Sequence, residues 1–157
     1  MKRLDIPGWG KLEWENLVLD FNGTIAQGGV LSPGVAQGLA ELERQGVKSY
    51  VITADTNGTA AAQCAGLPLE LVVCQGGNVA SAKRQLVERL GAEHTLSIGN
   101  GRNDLGMFES SRLALCILGE EGCFVPAALA ADILCPSIAD ALRLLIEDNR
   151  LKATLRG

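Results

Sequence analysis

The chain lacks any apolar run near the roughly twenty residues that span a bilayer; its apolar residues come in short blocks. It also lacks the apolar stretch of a signal peptide. The opening MKRLDIPGWG sets two basic residues before an acid, a proline and two glycines. A cytoplasmic protein with no membrane partner is the expectation. Aromatic residues are scarce at 4 %, and 14 Lys+Arg against 18 Asp+Glu leave a net charge of −4. Both argue against a nucleic-acid partner, which needs a basic face. There is one histidine, and the five cysteines (Cys64, Cys74, Cys116, Cys123 and Cys135) form no CxxC pair. Zinc-ligand spacing and a disulfide framework are therefore both missing, and the thiols read as small core residues.

What is present is a chain of 157 residues, 47 % apolar and 20 % charged. That length suits one domain, here 1–157 with its core over about 16–146, and it buries roughly 70 % of the unfolded surface. Apolar blocks alternate with helix-period segments along the whole chain. Such a rhythm predicts an α/β fold: a doubly wound, mostly parallel, Rossmann-like sheet with helices on both faces. Strands are expected at 17–19, 47–53, 69–74, 95–98, 113–118 and 133–134. Before the first, Leu12 and Trp14 alternate with Lys11, Glu13 and Glu15. This period of two predicts an edge strand, hairpinned to 4–6 through Pro7-Gly8. Ser32 and Pro33 read as N-cap and first helical residue, with Val35, Leu39 and Leu42 as the buried stripe and Gly46 as the stop. Ser137 and Asp140 have capping-box spacing and open a last helix with Ile138, Leu142 and Leu145 on its face. The tail LKATLRG is expected to fray.

Ligands of open parallel sheets sit beyond the carboxyl ends of the strands. Three of those ends carry chemistry: Asp20-Phe21-Asn22-Gly23-Thr24, then Thr53-Ala54-Asp55-Thr56, then Gly99-Asn100-Gly101-Arg102-Asn103-Asp104. Singly, each piece is also an ordinary turn or helix cap. Together they bring two carboxylates, Asp20 and Asp104, to one crevice, where a hard cation such as Mg²⁺ would relieve their repulsion. Lys83 falls on the apolar stripe Val79, Ala82, Leu86, Leu90 of its helix. A lysine there either snorkels to water or turns toward an anionic site.

These four stretches in this order resemble the motifs of the haloacid dehalogenase (HAD) superfamily of phosphohydrolases. The likeness is greater to its P-type-ATPase phosphorylation domains, with their D-K-T-G-T, T-G-D-N, lysine and G-D-G-x-N-D. It covers about residues 16–146. The resemblance implies that Asp20 is a nucleophile that becomes an aspartyl-phosphate. It implies Mg²⁺ held by Asp20, the carbonyl of Asn22, and Asp104 or Asn100. Thr53, Ala54 and the amides around Phe21 and Asn22 would hold phosphoryl oxygens, and Lys83 would balance charge. The substrate would be phosphorylated, and small or bulky.

Two positions depart from the pattern. The general acid/base Asp of the phosphatases is here Asn22, which moves no proton at neutral pH. The expectation is a slow phosphohydrolase or phosphotransferase; the alternative is a weak or inactive binding module that retains the crevice. Asn100 stands where an Asp is usual and withholds one negative charge from the metal. The gaps of 33 residues from Asp20 to Thr53 and 30 from Thr53 to Lys83 leave no room for a cap. Only 26–31, with Gly28-Gly29, is left as a flap, so a homo-oligomer is a simple way to close the site. Trp9 or Trp14 could make that contact, or both could cover the domain's own edge. A receiver-like signalling domain is disfavoured, because Cys74-Gln75-Gly76, not an Asp, follows the third strand.

Overall fold

A computed structural model describes residues 1–55 and 57–157. Thr56, read above at the end of the second strand, lies outside the described residues. The chain opens on β1 (Lys2–Ile6) and β2 (Gly10–Trp14), an antiparallel pair with Leu4 opposite Leu12. Strand alternation turns Leu4, Ile6, Leu12 and Trp14 inward, and all four join the core. This hairpin is a separate two-stranded sheet, not an edge of the main one. The edge-strand expectation is corrected: the hairpin packs its apolar face onto the core instead of pairing its backbone with the sheet. Trp14 is buried, and Trp9 lies 4.2 Å from the Arg112 guanidinium. Both rings are engaged within the chain.

The main sheet follows the predicted rhythm. After β3 (Asn16–Asp20), a small hairpin of β4 (Ala26–Gln27) and β5 (Val30–Leu31) turns at Gly28-Gly29. Then come α1 (Val35–Arg44), β6 (Lys48–Thr53), α2 (Thr59–Cys64), β7 (Glu70–Val73), α3 (Val79–Leu90) and β8 (Thr95–Gly99). The rest is α4 (Leu105–Ser110), β9 (Leu113–Ile117), α5 (Val125–Ala130), β10 (Ile133–Cys135), α6 (Ile138–Ile146) and α7 (Asp148–Leu155).

Six strands pair in the order β10-β9-β8-β3-β6-β7, all parallel. Alternate residues serve opposite cores. Leu17 and Leu19 of β3 face the layer holding α1 and α6, while Val18 faces the layer with Leu86, Met107 and Ala127 of α3, α4 and α5. Burying an apolar side chain of this size stabilises by about 1.5–3 kcal/mol, which is why near-continuous apolar strands go to the centre.

Two helix expectations change. Helix α1 starts at Val35 with Gly34 as its N-cap, so Ser32 caps nothing and Pro33 lies in the preceding turn. Gly34 has φ +87°, a conformation that ends regular structure and that L side chains resist. The tail does not fray at 151–155: α7 buries Leu151, and the Gly157 N–H donates to the Pro7 carbonyl at 3.0 Å. Lys2 ties the joint between α6 and α7, donating to the Leu145 carbonyl at 2.8 Å and pairing with Asp148 at 2.9 Å. Among the described residues, no helix is long and apolar enough to cross a membrane.

Candidate active site

The chain builds the sheet outward from β3 through β6 to β7, then returns to place β8 on the other side of β3. A crevice opens where the order reverses, beyond the carboxyl ends of β3 and β8. It is an open cleft of about 870 Å³ lined by Asp20, Asn22, Thr53, Lys83, Asn100 and Glu121 among others.

At its floor Lys83 is 1 % exposed. Its Nζ donates to Asp20 Oδ1 at 2.6 Å, Asp104 Oδ1 at 2.7 Å and Asn103 Oδ1 at 3.0 Å. The side chain turns into the cleft and does not snorkel; Arg84 is exposed and pairs with Glu88. Asn78 caps α3 by accepting from the Ser81 N–H at 3.3 Å, which sets Lys83 one turn inside the helix. Asp104 is fully buried, and its Oδ2 accepts from the Asn100 and Gly101 N–H groups, both at 2.9 Å. Its oxygens therefore already serve three donors. The second oxygen of Asp20 faces elsewhere: the Thr24 hydroxyl lies 3.3 Å from Asp20 Oδ2 and 3.4 Å from Asn100 Oδ1.

Two carboxylates and one ammonium leave a local charge of −1. Burial is the largest influence on Asp20, and with the Asp104 carboxylate it raises the carboxyl from 3.8 to about 6 against the pull of Lys83 and Thr24. Burial pushes the Lys83 ammonium down, but Asp20 and Asp104 more than offset it and hold the group above 10.5. In the metal-free protein the folded state thus binds the Asp20 proton more tightly than the unfolded state does. The stability this contributes is complete below about 4 and is lost as pH rises through about 6. The difference in unfolding free energy between wild type and Asp20→Asn should fall across that window. Denaturant titrations in EDTA at several pH values check this, and a flat difference contradicts it.

The close approach of β8 to Asp104 requires a bare backbone at its last residue. A Cβ on Gly99 would stand 2.5 Å from Asp104 Cγ and Oδ2. Gly99→Ala should cost about 1–3 kcal/mol through overpacking, and an unchanged denaturation midpoint would contradict this.

Thr53 is buried at the end of β6, beside β3. Asp55 behaves as a cap: its carboxylate accepts from the Ala60 N–H at 2.7 Å and the Ala61 N–H at 3.1 Å. Its φ of +41° turns the chain from β6 toward α2. Phe21, Asn22 and Ala54 line the same cleft. Sequence reasoning gave no role to three residues now at the site. Thr24 and Asn103 stood inside the quoted motifs. Glu121 comes from the turn between β9 and α5, and nothing in its GEEG surroundings marks it.

Among the described residues, no group of three His, Cys, Asp or Glu side chains is placed to hold a metal. The donors that do converge are oxygens: Asp20 Oδ2 and Asn100 Oδ1 around Thr24, with Asn22 on the same wall. An all-oxygen set with one carboxylate fits Mg²⁺, which takes few protein ligands and keeps its waters.

This is the fold of the HAD superfamily. A Streptomyces avermitilis protein assigned to the HAD family of hydrolases superimposes with a TM-score of 0.70 at 20 % identity, covering 85 % of each chain. The 3-deoxy-D-manno-octulosonate 8-phosphate phosphatase of Moraxella catarrhalis, in complex with magnesium, phosphate and KDO, gives 0.69 at 16 % identity over 87 % of this chain and 89 % of that one. A zinc-transporting PIB-type ATPase gives 0.64 at 24 % identity over 78 % of this chain and 20 % of the transporter. No family model matches. The chain belongs to the same family as the uncharacterized protein MJ0073 of Methanocaldococcus jannaschii, 39 % identical over 84 residues, which are 51 % of this chain and 90 % of that protein.

Proposed function

We propose that the chain is a slow Mg²⁺-dependent phosphohydrolase or phosphotransferase that works through an aspartyl-phosphate on Asp20. The observation that carries this is the buried Lys83 ammonium clamped between Asp20 and Asp104 at the switch point of the sheet. A surface loop would not need such a group. A phosphoryl site does, because the incoming charge must be balanced.

Asp20, Asn100 and the Asn22 carbonyl would hold the metal. Of the two carboxyl-terminal candidates, Asn100 is favoured over Asp104, whose oxygens are already engaged. When bound, Mg²⁺ draws charge off the phosphoryl oxygens. A carboxylate oxygen of Asp20 attacks phosphorus, and the bond from phosphorus to the leaving oxygen breaks. Thr53, Ala54 and the backbone at Phe21 and Asn22 hold the other phosphoryl oxygens, and Lys83 faces the added charge. Asp104 and Asn103 position Lys83. The leaving oxygen takes its proton from water, since Asn22 has none to give. In the second step water attacks phosphorus, releases phosphate and restores the carboxylate, again without a base at Asn22. Good leaving groups, such as aryl or acyl phosphates, are therefore the preferred substrates.

The chain is P-type-ATPase-like in this reading, with no cap among the described residues and 26–31 as a flap over the site. The five free thiols fit a cytoplasmic setting. A partner copy closing the site is consistent with the open cleft. The metal and phosphate in the Moraxella structure support the same assignment. Asn22 and Asn100 favour the second reading, a crevice that binds without turning over. Purified protein with an aryl phosphate separates the two: Mg²⁺-dependent, EDTA-sensitive release of the phenol supports catalysis, and Mg²⁺ binding without release supports the binding module.

A further inference from the structure

The amide at position 100 has a consequence for the turn that faces it. The turn after β9 is closed by the Gly122 N–H donating to the Gly119 carbonyl at 2.9 Å, so Glu120 and Glu121 form its tip. It is fastened to the site twice over. The Phe124 N–H donates to the Asn100 carbonyl at 2.9 Å, and Gly119 lies against the Gly23 carbonyl, which a Cβ on Gly119 would approach to 3.4 Å. The Glu121 carboxylate then lies over Gly23. A Cβ placed on Gly23 would collide both with Glu121 Oε2 and with Asn100 Nδ2, each within 2.5 Å of that one point. The two atoms are therefore no farther apart than those distances together, about 5 Å. On the other side of the same amide, Asn100 Oδ1 lies 3.4 Å from the Thr24 hydroxyl, which is itself 3.3 Å from Asp20 Oδ2.

We propose that Glu121 is a positioning residue for the metal site, and this rests on the reading of that site given above. Its carboxylate stands on the nitrogen side of the Asn100 amide, so the amide oxygen, not the nitrogen, is presented beside Asp20. It also returns to the neighbourhood of the cation the negative charge that Asn100 withholds. A cation with one formally charged protein ligand gains from a second carboxylate that lies within about 5 Å of the neutral ligand's amide nitrogen. Glycine at position 23 leaves room for this, because a Cβ there would fill the seat.

Isothermal titration with Mg²⁺ tests this on the purified chain, using wild type, Glu121→Ala, Glu121→Gln, Asp20→Asn, and Glu121→Ala combined with Asn100→Asp. Outer-sphere partners of metal ligands are worth about 10–100-fold in affinity. Glu121→Ala should therefore raise the Mg²⁺ dissociation constant about tenfold or more, with no change in the melting temperature of the EDTA-treated protein. Glu121→Gln, which keeps an acceptor and loses the charge, should fall between. Asn100→Asp should restore the affinity of Glu121→Ala. If wild type binds Mg²⁺ in an Asp20-dependent way and Glu121→Ala binds equally well, the role of Glu121 is overturned while the site stands. If wild type does not bind Mg²⁺, both are overturned.

Discussion

Replacing Asp20 by Asn is expected to lower Mg²⁺-dependent hydrolysis of an aryl phosphate by at least about 10³-fold, the scale on which loss of a nucleophile leaves only residual catalysis. The fold should survive. An amide has nearly the shape of a carboxylate, and Lys83 keeps Asp104 at 2.7 Å and Asn103 at 3.0 Å. The variant also relieves the buried carboxyl that burial and Asp104 hold up at about 6, so at neutral pH the metal-free protein should be no less stable than wild type. Steady-state rates and melting curves on one preparation separate the two effects. Wild-type rates in Asp20→Asn would remove Asp20 from the chemistry.

Asn22→Asp is expected to do the opposite. Position 22 lies at the cleft wall, two residues beyond Asp20, and is exposed to solvent. A carboxyl there can, in its protonated form, give a proton to the leaving oxygen and then, as the carboxylate, take one from the attacking water. General acid–base catalysis is typically worth about 10²–10⁴-fold. The gain should be largest for alkyl phosphates, whose leaving oxygens need the proton most, and smallest for acyl phosphates. Rates on an alkyl, an aryl and an acyl phosphate measure this. An equal rate for wild type and variant on all three would mean that proton transfer does not limit turnover.

The site was legible where a residue violates its surroundings. Asp20 and the 99–104 stretch each end an apolar run, and the sheet geometry alone sends such ends to one crevice. Lys83 was legible because an ammonium on the apolar stripe of α3 needs an anionic partner, and its partners are Asp20 and Asp104. Glu121 was not, because GEEG reads as any exposed turn. Its place beside Asn100 depends on how the segment after β9 crosses the end of β3, a contact between residues about 100 apart in sequence. Thr24 is silent in the sequence for a different reason: a buried hydroxyl between two oxygens has no signature outside the folded site. The terminal helix is hard to see in the sequence because 148–155 carries few apolar residues. Its order comes from Leu151 and from Lys2 at the other end of the chain. Local signals also misplaced the start of α1, where the left-handed Gly34 outweighed the Ser-Pro cue.

The most direct test of the account is to trap the intermediate. Wild-type protein is mixed with Mg²⁺ and a radiolabelled acyl phosphate, quenched in acid and digested, and the labelled peptide is sequenced. One label is expected, stable in acid and released by hydroxylamine, on the peptide holding Asp20, absent in Asp20→Asn and longer-lived in wild type than in Asn22→Asp. A label on any other residue, or turnover with no covalent label in either protein, would contradict it.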